Sequence, residues 1–92
     1  MSVTVRIPTP LRKLTGDQDV VSADGGGTLM AVIEGLEAQF PGLKERILDE
    51  SGDLRRFVNV YVNGEDVRFQ QGVQTELKAG DEVSIVPAVA GG

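Results

Sequence analysis

Phe57-Val-Asn-Val-Tyr-Val-Asn-Gly64 is the stretch on which the fold turns. Valines at 58, 60 and 62 alternate with Phe57, Asn59 and Tyr61, so one face is apolar and the other mixed. That period of two is the signature of a half-buried β-strand, here over Phe57 to Asn63. Asn63-Gly64 follows at once, and both residues tolerate positive φ, which predicts a tight hairpin. Val67 to Phe69 is then read as a short return strand.

Outward from this hairpin, the same alternation recurs at both ends of the chain. Val3, Val5 and Ile7 share one face of a strand over residues 2–7, closed by Pro8 and Pro10. Leu11 to Gly16 reads as a turn, and Asp17 to Ser22 as a short edge strand. Near the other end, Gly80-Asp81 turns the chain, Val83 and Ile85 lead a last strand inward, and Pro87 ends it. Between the two halves the period changes. Leu29, Val32, Ile33, Leu36 and Phe40 form one apolar stripe at helical spacing, with Glu34, Glu37 and Gln39 off it. Thr28 is placed to cap that helix, and Pro41-Gly42 stops it. Leu43 to Leu48 adds a short helical turn.

One amphipathic helix and alternating strands are satisfied together by a sheet with one face on the helix and the other toward solvent. The first and last strands are apolar, so they pair at the sheet centre. The pattern gives α+β; the specific expectation, a β-grasp (ubiquitin-like) roll, rests in part on resemblance. In it a mixed sheet of four to five strands packs on one main helix. Residues 1–87 form the domain and residues 88–92 a flexible tail ending in Gly-Gly.

Composition limits the chemistry. Ninety-two residues can bury one modest core. Histidine and cysteine are both absent, so thiolate nucleophiles, zinc fingers and a Ser-His-Asp triad are excluded. No side chain titrates near neutrality at its ordinary value. The net charge of −5 argues against nucleic acid or anionic lipid as the main ligand. Arg55-Arg56, with Lys44 and Arg46, reads as solvated surface. No run approaches the ~20 apolar residues of a membrane span, and the N-terminus lacks the features of a signal peptide. A cytoplasmic monomer with no bound metal is expected.

Candidate sites are few. Asp24-Gly-Gly-Gly-Thr28 lacks the order of a phosphate-binding loop and reads as a loop with a helix cap. Glu65-Asp66 and Asp81-Glu82 read as solvated turns. The outward residues Phe57, Tyr61 and Val86 are candidates for contact with a partner. The ending Val86-Pro-Ala-Val-Ala-Gly-Gly92 is the most suggestive feature. On composition alone a Gly-Gly ending arises in roughly 2% of such chains. Ala88, Val89, Ala90, Gly91 and Gly92 would reach ~16–18 Å past Pro87 when extended. The Gly92 α-carboxylate is ionised at neutral pH and unhindered, which suits it to attack a phosphorus centre inside a narrow enzyme site.

Together, the helix after Thr28, Val62-Asn63-Gly64 in a hairpin, and the series Leu77, Gly80, Asp81, Val83, Ile85, Pro87 running into Gly91-Gly92 resemble the MoaD/ThiS family of ubiquitin-like sulfur carriers. The resemblance spans essentially the whole chain. Within the family it is nearest to the branch serving cysteine biosynthesis, in Arg56 to Phe69 and in the last eight residues. It implies a protein co-substrate rather than an enzyme, with no catalytic residue of its own. Gly92 maps onto the acceptor glycine and Gly91 onto its neighbour. The implied partners are a ubiquitin-activating-like adenylyltransferase of MoeB/ThiF type, a pyridoxal-phosphate-dependent cysteine synthase and a JAMM-type metalloprotease. ATP and Mg²⁺ would be used by the activating enzyme, with no cofactor bound to the carrier. Val86 stands where molybdopterin-type carriers often have an aromatic residue. Three other readings remain open at this point: the small subunit of molybdopterin synthase, a ubiquitin-like protein modifier, and a passive interaction module.

Overall fold

A computed structural model describes residues 2–24 and 27–87 of the chain. Five strands form one mixed sheet: β1 (Ser2–Arg6), β2 (Val20–Asp24), β3 (Val58–Val62), β4 (Glu65–Asp66) and β5 (Glu82–Pro87). Their order is β2-β1-β5-β3-β4. The first and last strands lie side by side at the centre and run parallel, with Val5 opposite Val83. All other pairings are antiparallel. Helix α1 (Leu29–Gln39) packs across one face, followed by the short α2 (Leu43–Ile47). This is the expected β-grasp arrangement.

The core forms because every period-two face and the helical stripe meet. Val3, Val5, Val21, Val58, Val60, Val62, Val83 and Ile85 are buried from the sheet side. Leu29, Val32, Ile33 and Leu36 meet them from α1, and Phe40 packs half-buried at its end. Thr28 caps α1, its hydroxyl accepting from the Ala31 N–H at 3.2 Å. Glu37 then caps the start of α2, accepting from the N–H groups of Gly42 and Lys44 at 3.1 and 2.9 Å. These donors hold the Glu37 carboxyl below its ordinary value.

Three local expectations are corrected. Val67–Phe69 is a 3₁₀ turn, not a strand. The Asp66 side chain accepts from the Arg68 N–H at 2.9 Å and starts the turn. Val67 is thereby buried while Phe69 stands 89% exposed. Thr9–Leu14 is a 3₁₀ helix with Pro10 in its first turn. The second strand begins at Val20 rather than Asp17, because Gly16 and Asp17 both take positive φ (64° and 65°) and carry the chain through a left-handed bend first.

Candidate functional site

The site is the end of the sheet at which the central strand β5 stops. Pro87 lies in register with Val58, and Val86 with Asn59. Residues 88–92 continue from this point. The tail residues Val89, Ala90, Gly91 and Gly92 lie outside the described residues.

The outward face of the sheet around this exit follows from register. Inward Val58, Val60, Val83 and Ile85 leave Asn59, Tyr61, Ser84 and Val86 outward, with Tyr61 opposite Ser84 and Asn59 opposite Val86. Val86 is 41% exposed and Phe57, one residue before Val58, is 51% exposed. Tyr61 is half-buried and sits farther from the exit, opposite Asp66 on β4. The structure therefore brings Phe57 and Val86 to the end of the sheet that holds Pro87. It places Tyr61 midway along the same face.

Sequence reasoning missed the other flank. Ile7, Pro8, Pro10, Arg12, Val86 and Pro87 line an open groove of about 480 Å³ beside the exit. Arg12 is fixed there, its Nε donating to the Ile7 carbonyl at 3.1 Å. The signal was available: once β1 is parallel to β5, whatever follows β1 must lie beside the end of β5.

The opposite end of the sheet is held by polar contacts. Asn63 (φ 52°) and Gly64 (φ 87°) make the hairpin turn. The Asn63 Nδ2 donates to Asp81 at 3.0 Å, and its Oδ1 accepts the Glu82 N–H at 3.0 Å. Asp81 also accepts the Lys78 N–H at 2.7 Å. Those two donors, the Lys78 amide first, hold the Asp81 carboxyl below its ordinary value. Glu82 reaches Arg6 across the sheet at 3.1 Å. Asp66 and Asp81 thus fasten turns rather than merely face solvent.

Asp49 behaves likewise. Its Oδ1 accepts from Ser51 N–H and Oγ and from Asp53 N–H, with the Ser51 hydroxyl the chief cause of its lowered pKa. Carboxylates kept ionised in turns are poor proton donors at neutral pH. Among the described residues, no group of three or more acidic side chains is placed to hold a metal. No described helix is long and apolar enough to cross a membrane. What the geometry offers is the end of β5 at Pro87, set between an apolar groove and an exposed phenylalanine.

Comparison with known proteins decides the family. Residues 5–92 match the ThiS family. The chain belongs to that family. The sulfur carrier protein CysO of Mycobacterium tuberculosis is 58% identical over 94 residues, covering 100% of both chains. A chain in the crystal structure of the Amycolatopsis orientalis BexX/CysO complex superposes with a TM-score of 0.91 at 50% identity, covering 98% of this chain and 99% of that one. The crystal structure of Mycobacterium tuberculosis CysO gives a TM-score of 0.90 at 57% identity, covering 95% and 99%.

Proposed function

We propose that this chain is a sulfur carrier for cysteine biosynthesis, with the α-carboxylate of Gly92 as its reactive group. The observation that carries the reading is the 58% identity, over the whole of both chains, to a protein named as a sulfur carrier. The fold supports it. The last strand is locked at the sheet centre between β1 and β3, so the residues beyond Pro87 start from a fixed point.

The chemistry follows from the terminus. A carboxylate oxygen of Gly92 attacks the α-phosphorus of ATP on an activating adenylyltransferase. A new O–P bond forms, the bond to the bridging oxygen breaks, and pyrophosphate leaves. Hydrosulfide, or a sulfur donor equivalent to it, then adds to the acyl carbon. The C–O bond to AMP breaks, AMP departs with the electron pair, and a thiocarboxylate remains. Its sulfur is a soft nucleophile that adds to an electrophilic carbon on a partner synthase. An S-to-N acyl shift leaves cysteine in amide linkage to Gly92, and a metalloprotease hydrolyses that bond. With no histidine or cysteine in the chain, no imidazole or thiolate competes with the terminus for these roles. The domain presents the carboxylate, and the groove and Phe57 guide it into its partners.

Reconstitution tests this. The purified chain is incubated with ATP, Mg²⁺, the adenylyltransferase of the same genome and a sulfide source, and its intact mass is read. An ATP-dependent gain of about 16 Da is expected for exchange of oxygen by sulfur. With the cysteine synthase and O-phosphoserine added, a gain of about 103 Da is expected for the cysteine adduct. Loading without ATP, or covalent ladders on lysines of other proteins in place of a cysteine adduct, would contradict the reading.

A further inference from the structure

The loop between α2 and β3 is bonded far more heavily than an idle connection requires. Leu48 and Leu54 form a β-bridge, and Asp49 fastens the turn between them. The Arg55 N–H donates to the Ile47 carbonyl at 3.0 Å, and its Nε donates to the Glu45 carbonyl at 2.6 Å. The Arg55 carbonyl accepts from Val58 N–H and from the Arg68 guanidinium, whose other arm holds Asn59. This scaffold ends by presenting Arg56 and Phe57 to solvent beside the register position of Pro87. Fixing a loop in advance lowers the entropy lost when it binds.

The charge distribution gives the loop a direction. The chain carries −5 overall. The sheet end away from the tail holds Glu65, Asp66, Glu76, Asp81 and Glu82, with Lys78 among them. At the tail end, Arg55, Arg56 and Arg68 gather around one loop, whose own acids are Asp49, bonded into its turn, Glu50, and Asp53, which lines a depression with Arg68. Glu45 and Glu50 lie on the α2 flank, where Lys44 and Arg55 line the same depression. An acidic surface therefore meets less repulsion at this end of the sheet, where arginines stand among the acids, than at the other.

We propose that Arg55, Arg56 and Phe57 form a docking platform for a carboxylate-lined protein surface with an apolar recess for the Phe57 ring, on the adenylyltransferase that activates the tail. The platform rests on the sulfur-carrier reading and names the chemistry of the surface it requires. Guanidinium groups pair carboxylates in a planar fork, while the exposed ring supplies apolar area at low entropic cost. Together they orient the domain so that the tail points into the partner.

Initial rates of thiocarboxylate formation, read by intact mass against carrier concentration with the purified adenylyltransferase, test this. The Arg56→Glu/Phe57→Ala chain should show KM raised about tenfold with kcat within about twofold, as removal of docking charge predicts. Added salt should raise the wild-type KM and change the variant's little. Neither substituted side chain takes part in the loop's hydrogen bonds, and an unchanged melting curve checks the fold. Lys78→Glu, at the other end of the sheet, should leave KM unchanged. Normal loading with an unaltered KM in Arg56→Glu/Phe57→Ala overturns the platform alone, as does an equal rise in Lys78→Glu. A wild-type chain that takes up no sulfur overturns the carrier reading and the platform with it.

Discussion

Replacing Leu36 by alanine separates the domain's role as a handle from the chemistry at its tail. Leu36 is 1% exposed, in the middle of the α1 stripe that covers the sheet. The substitution removes roughly three methylene equivalents at ~0.8 kcal/mol each, or ~2.4 kcal/mol of transfer free energy. The cavity left between α1 and the sheet adds to this, for a total of about 3–4 kcal/mol. Alanine's better helix propensity returns only a few tenths. For a domain of this size each kcal/mol moves Tm by about 4–8 °C, so a drop of roughly 15–25 °C is expected. Far-UV circular dichroism during a thermal scan reads it. Glu34→Ala, on the exposed side of α1 with only a surface ion pair to Lys44, serves as the control and should stay within about 0.5 kcal/mol. Well below its new Tm, the Leu36→Ala chain should still be loaded with sulfur at a rate close to wild type. A Tm within 3 °C of wild type, taken as roughly the resolution of a ~0.5 kcal/mol change, would refute the packing argument. Lost loading in a chain shown to be folded would refute the handle.

Other expectations follow from the turns. Gly64 sits at φ 87° with open space where a Cβ would lie. Gly64→Ala therefore costs only the left-handed backbone term of about 1–2 kcal/mol, measurable by urea denaturation without loss of loading. Asp81, Asp49 and Glu37 all have carboxyls lowered from ordinary values of 3.8, 3.8 and 4.5. A group lowered in the folded state releases its proton more readily there, so its contribution is complete above the ordinary value. That contribution is lost as pH falls through the folded value. The denaturation midpoint should thus be flat above about pH 5 and fall in more acidic solution. Asp81→Asn should flatten that fall in part, and an unchanged acid profile in this variant would show that the Asn63–Asp81–Lys78 contacts carry no stability.

The sheet was legible in the sequence wherever burial imposed a period on at least five residues. β1, β3 and β5 each carry alternating valines or isoleucine, and α1 carries four buried residues on one stripe. The central β1–β5 pairing is not fixed by apolar content, since β3 (VNVYV) is more apolar than β1 (SVTVR); it came with the family resemblance. Short segments were not legible in this way. Val67-Arg68-Phe69 alternates like a strand, but three residues fit a 3₁₀ turn as well, and the Asp66 cap decides the matter. The late start of β2 turns on positive φ at a non-glycine residue, Asp17, which no hydrophobic pattern reports. At the candidate site, Phe57 and Val86 could be placed outward from alternation alone. The groove of Pro8, Pro10 and Arg12 could not be read from alternation, because it is assembled from the ends of two strands distant in sequence; only the β1–β5 pairing points to it. Arg55-Arg56 read as plain solvated surface for the same reason. Its meaning lies in hydrogen bonds to Glu45, Ile47 and Arg68 that only the fold brings together.

The most direct test of the central claim is the position of the sulfur. After ATP-dependent loading, the chain is cleaved and its C-terminal peptide is sequenced by tandem mass spectrometry. The account predicts a gain of about 16 Da confined to Gly92, and none in a chain lacking Gly92. Sulfur on any other residue, or a Gly92-deleted chain that loads as well as the intact one, would contradict it.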